Sequence, residues 1–447
     1  MRVAAWLAYR PALFYTDSWG YLKMARAGHG LVGIAPTRPS GYPLALRVLT
    51  LDGHSLGALT AAQHLAGLAV GVLLYGLLVR WGVARWMAAL ATGLVVLDAY
   101  GVALEARVLS EALFTLALLA CVYLLLAVRQ RPAGLAASGV LLAVAATMRP
   151  VALFVVPVWL GYLALGRLGW RPFLAALGGL GVPLALYAAL HASVTGTFGL
   201  TQADGWFLYG RVGEIVRCGP SGIPASERPL CTNHGGGPVP GPDYFIFQPD
   251  SPARRLLGAI SANPRRQAHS NALLRDFAVR TIVSRPGAYA HIVTADFARF
   301  FSPGASAGAR EDATVSLPRH VRLTRDDRRA RVGLPSSYRP HARAPAGPLS
   351  AYASWVHTPR WLLAILTLAS LLAVVLGLPR ARAVSLLVGC ALAMLVGSAA
   401  TAGFALRYLL PTVPLLVGAG VLAGVDLLAL ARRRGRHPSS PATGGAP

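Results

Sequence analysis

The chain has 447 residues, 55% hydrophobic and 13% charged, and carries a formal net charge of +25. Its mean hydropathy is +0.53, whereas a soluble domain carries roughly 25% charged residues, so the composition excludes an ordinary soluble protein and points to an integral membrane one. The positive charge is not read as a nucleic-acid signal. Lys23 is the only lysine, and Ala, Gly, Pro and Arg run high together, so part of the basicity is codon bias. The remainder suits anionic lipid headgroups and lipid phosphates, and no nucleic-acid partner is expected. No zinc spacing, Walker loop or dinucleotide fingerprint is present.

A bilayer crossing needs about 20 apolar residues. Stretches of that kind fall near 1–14, 55–79, 87–104, 111–128, 133–148, 150–166, 172–193, 360–378, 384–401 and 404–430. The first is short, and reads either as the end of a helix or as a half-span. A cleaved signal peptide is disfavoured, because no Ala-x-Ala site follows a basic region ahead of Asp17. The fold expected is an all-α polytopic bundle of ten or eleven spans.

The short basic turns set the orientation. Arg80 and Arg85, Arg129 and Arg131, Arg167 and Arg171, Arg380 and Arg382, and the tail Arg432 to Arg436 all fall at alternate helix ends, which the positive-inside rule puts in the cytoplasm. The 15–54 loop, the 98–110 and 148–150 turns and the 194–355 segment then lie outside. The chain divides into an N-terminal bundle (1–193), an extracytoplasmic segment (194–355) between spans seven and eight, C-terminal spans (356–431) and a basic cytoplasmic tail (432–447). In the outer segment, 219–242 and 303–348 are rich in Pro, Gly and Arg and read as loop or disorder. Apolar positions over 264–301 recur at helical spacing around Pro286 and predict two amphipathic helices.

Two cysteines, Cys121 and Cys390, lie in apolar runs and are expected to be inert. Cys218 and Cys231, in the outer segment, are a disulfide candidate, with two free thiols as the alternative. His29, His54 and His234 are scattered and make no metal pattern; a divalent metal is compatible with the chemistry but nothing in the sequence supports one.

Ionisable residues in or beside spans are costly and are functional candidates by default. Asp17 stands in Phe14-Tyr15-Thr16-Asp17-Ser18-Trp19-Gly20-Tyr21, just after the first apolar stretch. It suits a helix N-cap as well as a general base. Glu105, Arg107 and Glu111 cluster within eight positions, with Glu111 four residues beyond Arg107, the spacing of a pair on one helix face. Arg149 precedes Pro150, and Arg407 opens the last apolar run. Either can snorkel to headgroups or present a guanidinium fork to a phosphate. Asp426 reads as a solvated terminal charge.

These residues occur in an order that resembles a known group. An Asp in the first outer loop is followed by Arg38-Pro39-Ser40-Gly41-Tyr42-Pro43-Leu44, then Leu109-Ser110-Glu111-Ala112-Leu113-Phe114, Met148-Arg149-Pro150 and Arg407-Tyr408-Leu409-Leu410-Pro411. The order is similar to the GT-C superfamily of polyprenyl-phosphate-dependent glycosyltransferases, near the bacterial relatives of protein O-mannosyltransferases and the lipid A aminoarabinose transferase. The likeness covers most of the membrane part and not 194–355. It implies an inverting sugar transfer from a polyprenyl-phosphate donor to an extracytoplasmic glycan, lipid or protein acceptor. Asp17 would be the base, Glu105 and Glu111 would orient the site, and Arg149, Arg407 and Arg107 would hold the donor phosphate. Where many relatives carry a second acid beside the first, this chain has Ser18 and Trp19. An O-antigen ligase or polymerase would instead place essential Arg and His in the large loop. A lipid or solute transporter would place broken helices at mid-membrane. A non-catalytic scaffold would leave Asp17 dispensable.

Overall fold

The computed structural model describes residues 1–26, 33–50, 55–127, 131–166, 168–217, 223–231, 239–321, 323, 327–328, 332 and 334–434. The protein is mostly helical. The first apolar stretch forms no span. It gives α1 (Arg2–Ala8) and then a two-residue strand, β1 (Tyr9–Arg10), paired antiparallel with β2 (His341–Ala342). Pro11 lacks an amide hydrogen and cannot extend the ladder. Ala5, Ala8 and Tyr9 are buried against Val102, Ala103, Leu317 and Leu349, so this segment packs on protein.

Two short helices follow, α2 (Thr16–Arg26) and α3 (Gly41–Leu49), then the long α4 (Leu56–Arg80). Ser55 starts α4 by accepting from the Ala58 amide at 3.2 Å, as an N-cap does. Next come α5 (Arg85–Val96), α6 (Ala99–Glu105), α7 (Glu111–Ala127) and α8 (Pro132–Met148). A 3-10 turn (Pro150–Val155) then runs into α9 (Val156–Leu165), followed by α10 (Trp170–Thr195). The 194–355 segment carries α11 (Asp204–Val212), α12 (Pro242–Phe247), α13 (Pro252–Leu257), α14 (Pro264–Ser284), α15 (Pro286–Arg299), α16 (Ala309–Asp312) and α17 (Ala346–Trp355). The chain closes with α18 (Arg360–Val375), α19 (Ala381–Thr401) and the helical stretch α20 (Leu406–Arg433).

By length and composition α4, α10, α19 and α20 can each cross a membrane, and up to six crossings result if the bent pairs α5–α6 and α17–α18 each count as one. That is fewer than the ten or eleven expected from apolar runs. Besides α1, the shortfall is α7, α8 and the 150–165 helix. The 17 residues of α7 or α8 extend about 25 Å, short of the ~30 Å hydrocarbon core. The α5–α6 bend of 54° falls at Asp98, which caps α6 by accepting from the Tyr100 and Gly101 amides at 2.8 and 3.3 Å and also takes the Thr358 amide at 2.8 Å. Helices α8 and α10 touch backbone to backbone: a Cβ on Gly139 would lie 2.5 Å from the Ala176 carbonyl, and one on Gly179 would strike Ala136. Small residues permit such approach where no water drives helices together. The other side of α10 exposes Leu174, Val182, Leu186 and Leu190, a face suited to lipid.

The basic turns converge at one end of the bundle. Arg80 donates to the Ala127 carbonyl at 2.8 Å, Arg380 to the Trp81 carbonyl at 2.8 Å, and Arg382 to the Tyr162 carbonyl at 3.3 Å. Asp426 is not solvated, as the sequence had suggested; it is buried there, accepting from the Arg380 amide at 2.8 Å and from its guanidinium. Arg129 and Arg167 lie outside the described residues.

The 194–355 segment has its own apolar core around Trp206, Tyr209, Phe245, Leu274 and Phe277. The two helices predicted around Pro286 are α14 and α15. Tyr289 donates to the Ala400 carbonyl at 2.9 Å, and Phe300 packs on Phe404 at 5.1 Å, which anchors the segment to the end of α19. The 303–348 stretch, read as loop or disorder, is largely irregular but packs in part: Val315, Leu317 and Tyr338 are buried. Cys121 and Cys390 are buried and free. Cys231 is disulfide-bonded; Cys218, its predicted partner, lies outside the described residues, as do His29, His54, His234 and most of 219–238.

Candidate functional site

The start of α2 places Asp17. The Ser18 hydroxyl accepts from the Tyr15 amide and donates to the Val108 carbonyl, both at 2.9 Å, which pins the turn before the helix to the 106–110 connection. Phe14 stacks on Trp19 with centroids 4.4 Å apart, and the Trp19 indole donates to Asp327 at 2.9 Å. Asp17 therefore projects from a rigid turn. Its carboxylate meets two guanidiniums: Oδ1 accepts from Arg38 and Oδ2 from Arg407, each at 2.8 Å. Arg38 also stacks over Tyr21, and Arg407 lies over both Tyr15 and Tyr408.

Two further acids complete the cluster. Glu311, from α16, lies 3.3 Å from Arg407 Nε and accepts from the Tyr15 hydroxyl. Neither Arg407 Nε nor Glu311 Oε2 has a well-aligned hydrogen bond among the described residues, so this pair is close but poorly formed. Glu111 opens α7 and binds Arg149 at the end of α8; its Oε2 is buried without a described partner. Arg149 lies over the rings of Phe114 and Tyr408, so Tyr408 joins the Arg149 and Arg407 halves. Three carboxylates and three guanidiniums meet at the end of the bundle formed by the starts of α7 and α20 and the end of α8.

This end is opposite the basic turns. Helix α4 runs from beside the cluster to Arg80, and its 25 residues extend about 37 Å. Burial pushes the Asp17 carboxyl up, but the charges of Arg38 and Arg407 and their hydrogen bonds outweigh it and hold the group well below the usual carboxylate range. Asp17 is thus a firmly ionised anion, and a weak base while both arginines hold it.

Of the residues singled out from sequence, Asp17, Arg149, Arg407 and Glu111 come together. Arg107 and Glu105 do not join them directly. The expected pairing of Arg107 with Glu111 is absent because helix α6 stops at Glu105 and α7 starts at Glu111, so the four-residue helical spacing never exists. The 106–108 backbone instead runs beside Leu13, with the Leu13 amide donating to Ala106 and the Val108 amide to Leu13. Arg107 is buried and donates to the carbonyls of Ala103, Ala313 and Ser316 at 2.7 to 2.8 Å. Its donors fasten the 313–316 stretch to α6 and are not offered to a phosphate. Glu105 is held by Arg2 through two hydrogen bonds of 2.8 Å and by His64 Nδ1 at 2.8 Å. It shares with Glu111 the wall of a small cavity of about 60 Å³, so it lies beneath the cluster. Asp17 is not a cap; its oxygens are taken by side chains.

Two members of the cluster, Arg38 and Glu311, stand outside the residues singled out from sequence. Arg38 stands inside the Arg38-to-Leu44 run but drew no role, although an arginine in a short loop facing an acid is a visible signal. Glu311 had none, because it sits in a stretch without periodicity. In space it meets the same arginine as Asp17 does, Arg407. Among the described residues no three His, Cys, Asp or Glu side chains group to hold a metal.

No protein-family model matches the chain. No curated protein and no solved structure matches it either. The functional reading therefore rests on the cluster itself.

Proposed function

We propose that the chain is a multi-pass membrane glycosyltransferase of the GT-C kind, which moves a sugar from a polyprenyl-phosphate donor to an acceptor outside the cytoplasm. One observation carries the reading: three arginines, two of them bound to one ionised aspartate, meet at the bundle end opposite the arginine-rich turns. The positive-inside rule assigns those turns to the cytoplasm and hence the cluster to the outer surface. In this reading α7, α8 and the 150–165 helix also cross, in a bundle of nine spans, with the 194–355 unit outside.

Guanidinium forks match phosphate geometry. The donor phosphate takes Arg407 and Arg149 from their carboxylates, and the loosely aligned Glu311 yields first. Losing Arg407 removes one of the two cations that depress the Asp17 pKa, so donor binding turns a passive counter-ion into a base. The acceptor hydroxyl attacks the anomeric carbon from the face opposite the phosphate, and its proton passes to Asp17. The bond from the anomeric carbon to the phosphate oxygen breaks, and the polyprenyl phosphate leaves with its new negative charge held by the arginines. The configuration inverts. Glu111 keeps Arg149 aimed, and Glu105 supports the floor through Arg2 and His64.

The test is sugar transfer from a synthetic polyprenyl-phosphate donor by purified variants of matched stability. Asp17→Asn is expected to lose about two to four decades in turnover. Arg149→Ala and Arg407→Ala are expected to raise the donor KM. Near-wild-type turnover by Asp17→Asn rejects the assigned base, and turnover unchanged in all three rejects the site.

A further inference from the structure

At the other end of the bundle the ends of α4, α7 and α9 and the starts of α8 and α19 surround a cavity of about 590 Å³, within the range of sites that hold organic ligands, ~300–1,000 Å³. Its inner wall is leucine: Leu125, Leu126, Leu135 and Leu163, all buried. Trp81 and Tyr162 also line it, as do two exposed arginines, Arg80 and Arg382. The Arg80 guanidinium donates to the Ala127 carbonyl at 2.8 Å. That of Arg382 reaches the Tyr162 carbonyl at 3.3 Å and lies 4.7 Å over the Tyr162 ring. Neither has a carboxylate partner among the described residues, whereas the neighbouring Arg380 is neutralised by buried Asp426.

Two uncompensated cations thus flank an apolar slot, at a helix-end level where Trp and Tyr mark a membrane–water boundary. A small hydrophilic anion would satisfy the arginines and leave the leucines wet. A neutral hydrocarbon would fill the slot and leave both charges unanswered. A zwitterionic lipid brings its own cation next to them. From this geometry we infer that the cavity is a binding site for an anionic diacyl phospholipid, with one acyl chain among the leucines and the headgroup phosphate on Arg80 and Arg382. The inference needs only that the bundle is embedded in a membrane. It does not depend on the chemistry assigned to the opposite end, and its test involves no sugar transfer.

The probe is lipid with brominated acyl chains, which quenches tryptophan on contact, titrated into detergent-solubilised full-length protein. Trp81→Phe isolates the Trp81 signal from the other tryptophans. In the wild type, brominated phosphatidylglycerol is expected to quench that signal at lower mole fraction than brominated phosphatidylcholine. Each surface arginine contributes about fivefold to anionic-lipid affinity, so Arg80→Gln/Arg382→Gln is expected to abolish the preference and make the two lipids alike. Both side chains are exposed, so the double variant should keep the wild-type thermal midpoint; if it does not fold, Arg382→Gln alone is expected to cut the preference about fivefold. Equal quenching by the two lipids in the wild type overturns the inference, as does a preference that survives the substitutions. Displacement of phosphatidylglycerol by equimolar polyprenyl monophosphate would also overturn it, assigning the slot to a phosphate monoester instead.

Discussion

The Asp17–Arg407 contact can be weighed with a double-mutant cycle. Asp17→Asn removes the charge from two hydrogen bonds of 2.8 Å, to Arg38 and Arg407. A hydrogen bond to a charged group contributes about 1.5–3 kcal/mol net. The amide oxygen can still accept from one arginine, while its NH₂ faces the other, so roughly one such bond is lost and one weakened. Breaking a fully buried pair costs about 3–5 kcal/mol. Here the side chains are 18% (Asp17), 30% (Arg38) and 12% (Arg407) exposed, and the cost should fall below that, at about 2–3 kcal/mol on the scale of charged hydrogen bonds. Arg407→Gln removes the same contact together with the Glu311 one. The double variant should therefore cost less than the sum, with a coupling of about 1–2 kcal/mol, read by reversible unfolding in mixed micelles. Coupling below about 0.5 kcal/mol would mean the two side chains do not share an energetic contact, and the cluster would lose its physical basis. The pH dependence follows in sign. The folded pKa of Asp17 is depressed, so its contribution is fully present above the ordinary carboxylate value of about 3.9 and is lost as pH falls through the folded value. The wild-type advantage over Asp17→Asn should be constant from about pH 7 to pH 5 and shrink only below about pH 4.

Arg107→Gln should destabilise the protein by about 2–4 kcal/mol, since it strands carbonyls of the 313–316 stretch, yet leave the donor KM unchanged in the surviving folded fraction; a KM effect like that of Arg149→Ala would put Arg107 back in the phosphate site. Asp426→Asn should cost about 2–4 kcal/mol by leaving Arg380 half-buried without its charge partner, measured by the thermal midpoint, whereas a solvated aspartate would cost nothing. Cys231 should resist alkylation until the protein is reduced, and mass spectrometry finding it alkylated without reductant would contradict its disulfide. Reporter fusions near residues 240 and 340 should give the signal of the non-cytoplasmic side, and a cytoplasmic signal at both would reverse the orientation assumed for the cluster.

What the sequence determined by itself follows from local physics. Apolar runs marked α4, α7, α8, α9, α10, α18, α19 and α20 to within a few residues, because bilayer cost and helical hydrogen bonding act over each segment alone. Pro286 marked the break between α14 and α15, where it takes the first position of the second helix. The cost of an ionisable side chain in or beside an apolar span made Asp17, Glu111, Arg149 and Arg407 conspicuous before any contact was known. Only the tertiary structure decided what each touches. Glu111 lies four residues from Arg107 but binds Arg149, because the chain leaves the helix at 106–110 and residue spacing ceases to describe distance. Arg107 is turned to carbonyls by the 313–316 stretch, more than two hundred positions away in sequence. Glu311 reaches Arg407 from a stretch with no periodicity, so no local pattern could announce it. The first apolar residues are as hydrophobic as a span, and it was the packing of Ala5, Ala8 and Tyr9 on α6 that assigned them to the protein interior. Segment properties are sums over neighbours in the chain, whereas a charged site is made by long-range closure, where burial leaves each carboxylate only the cations that the fold brings within about 3 Å.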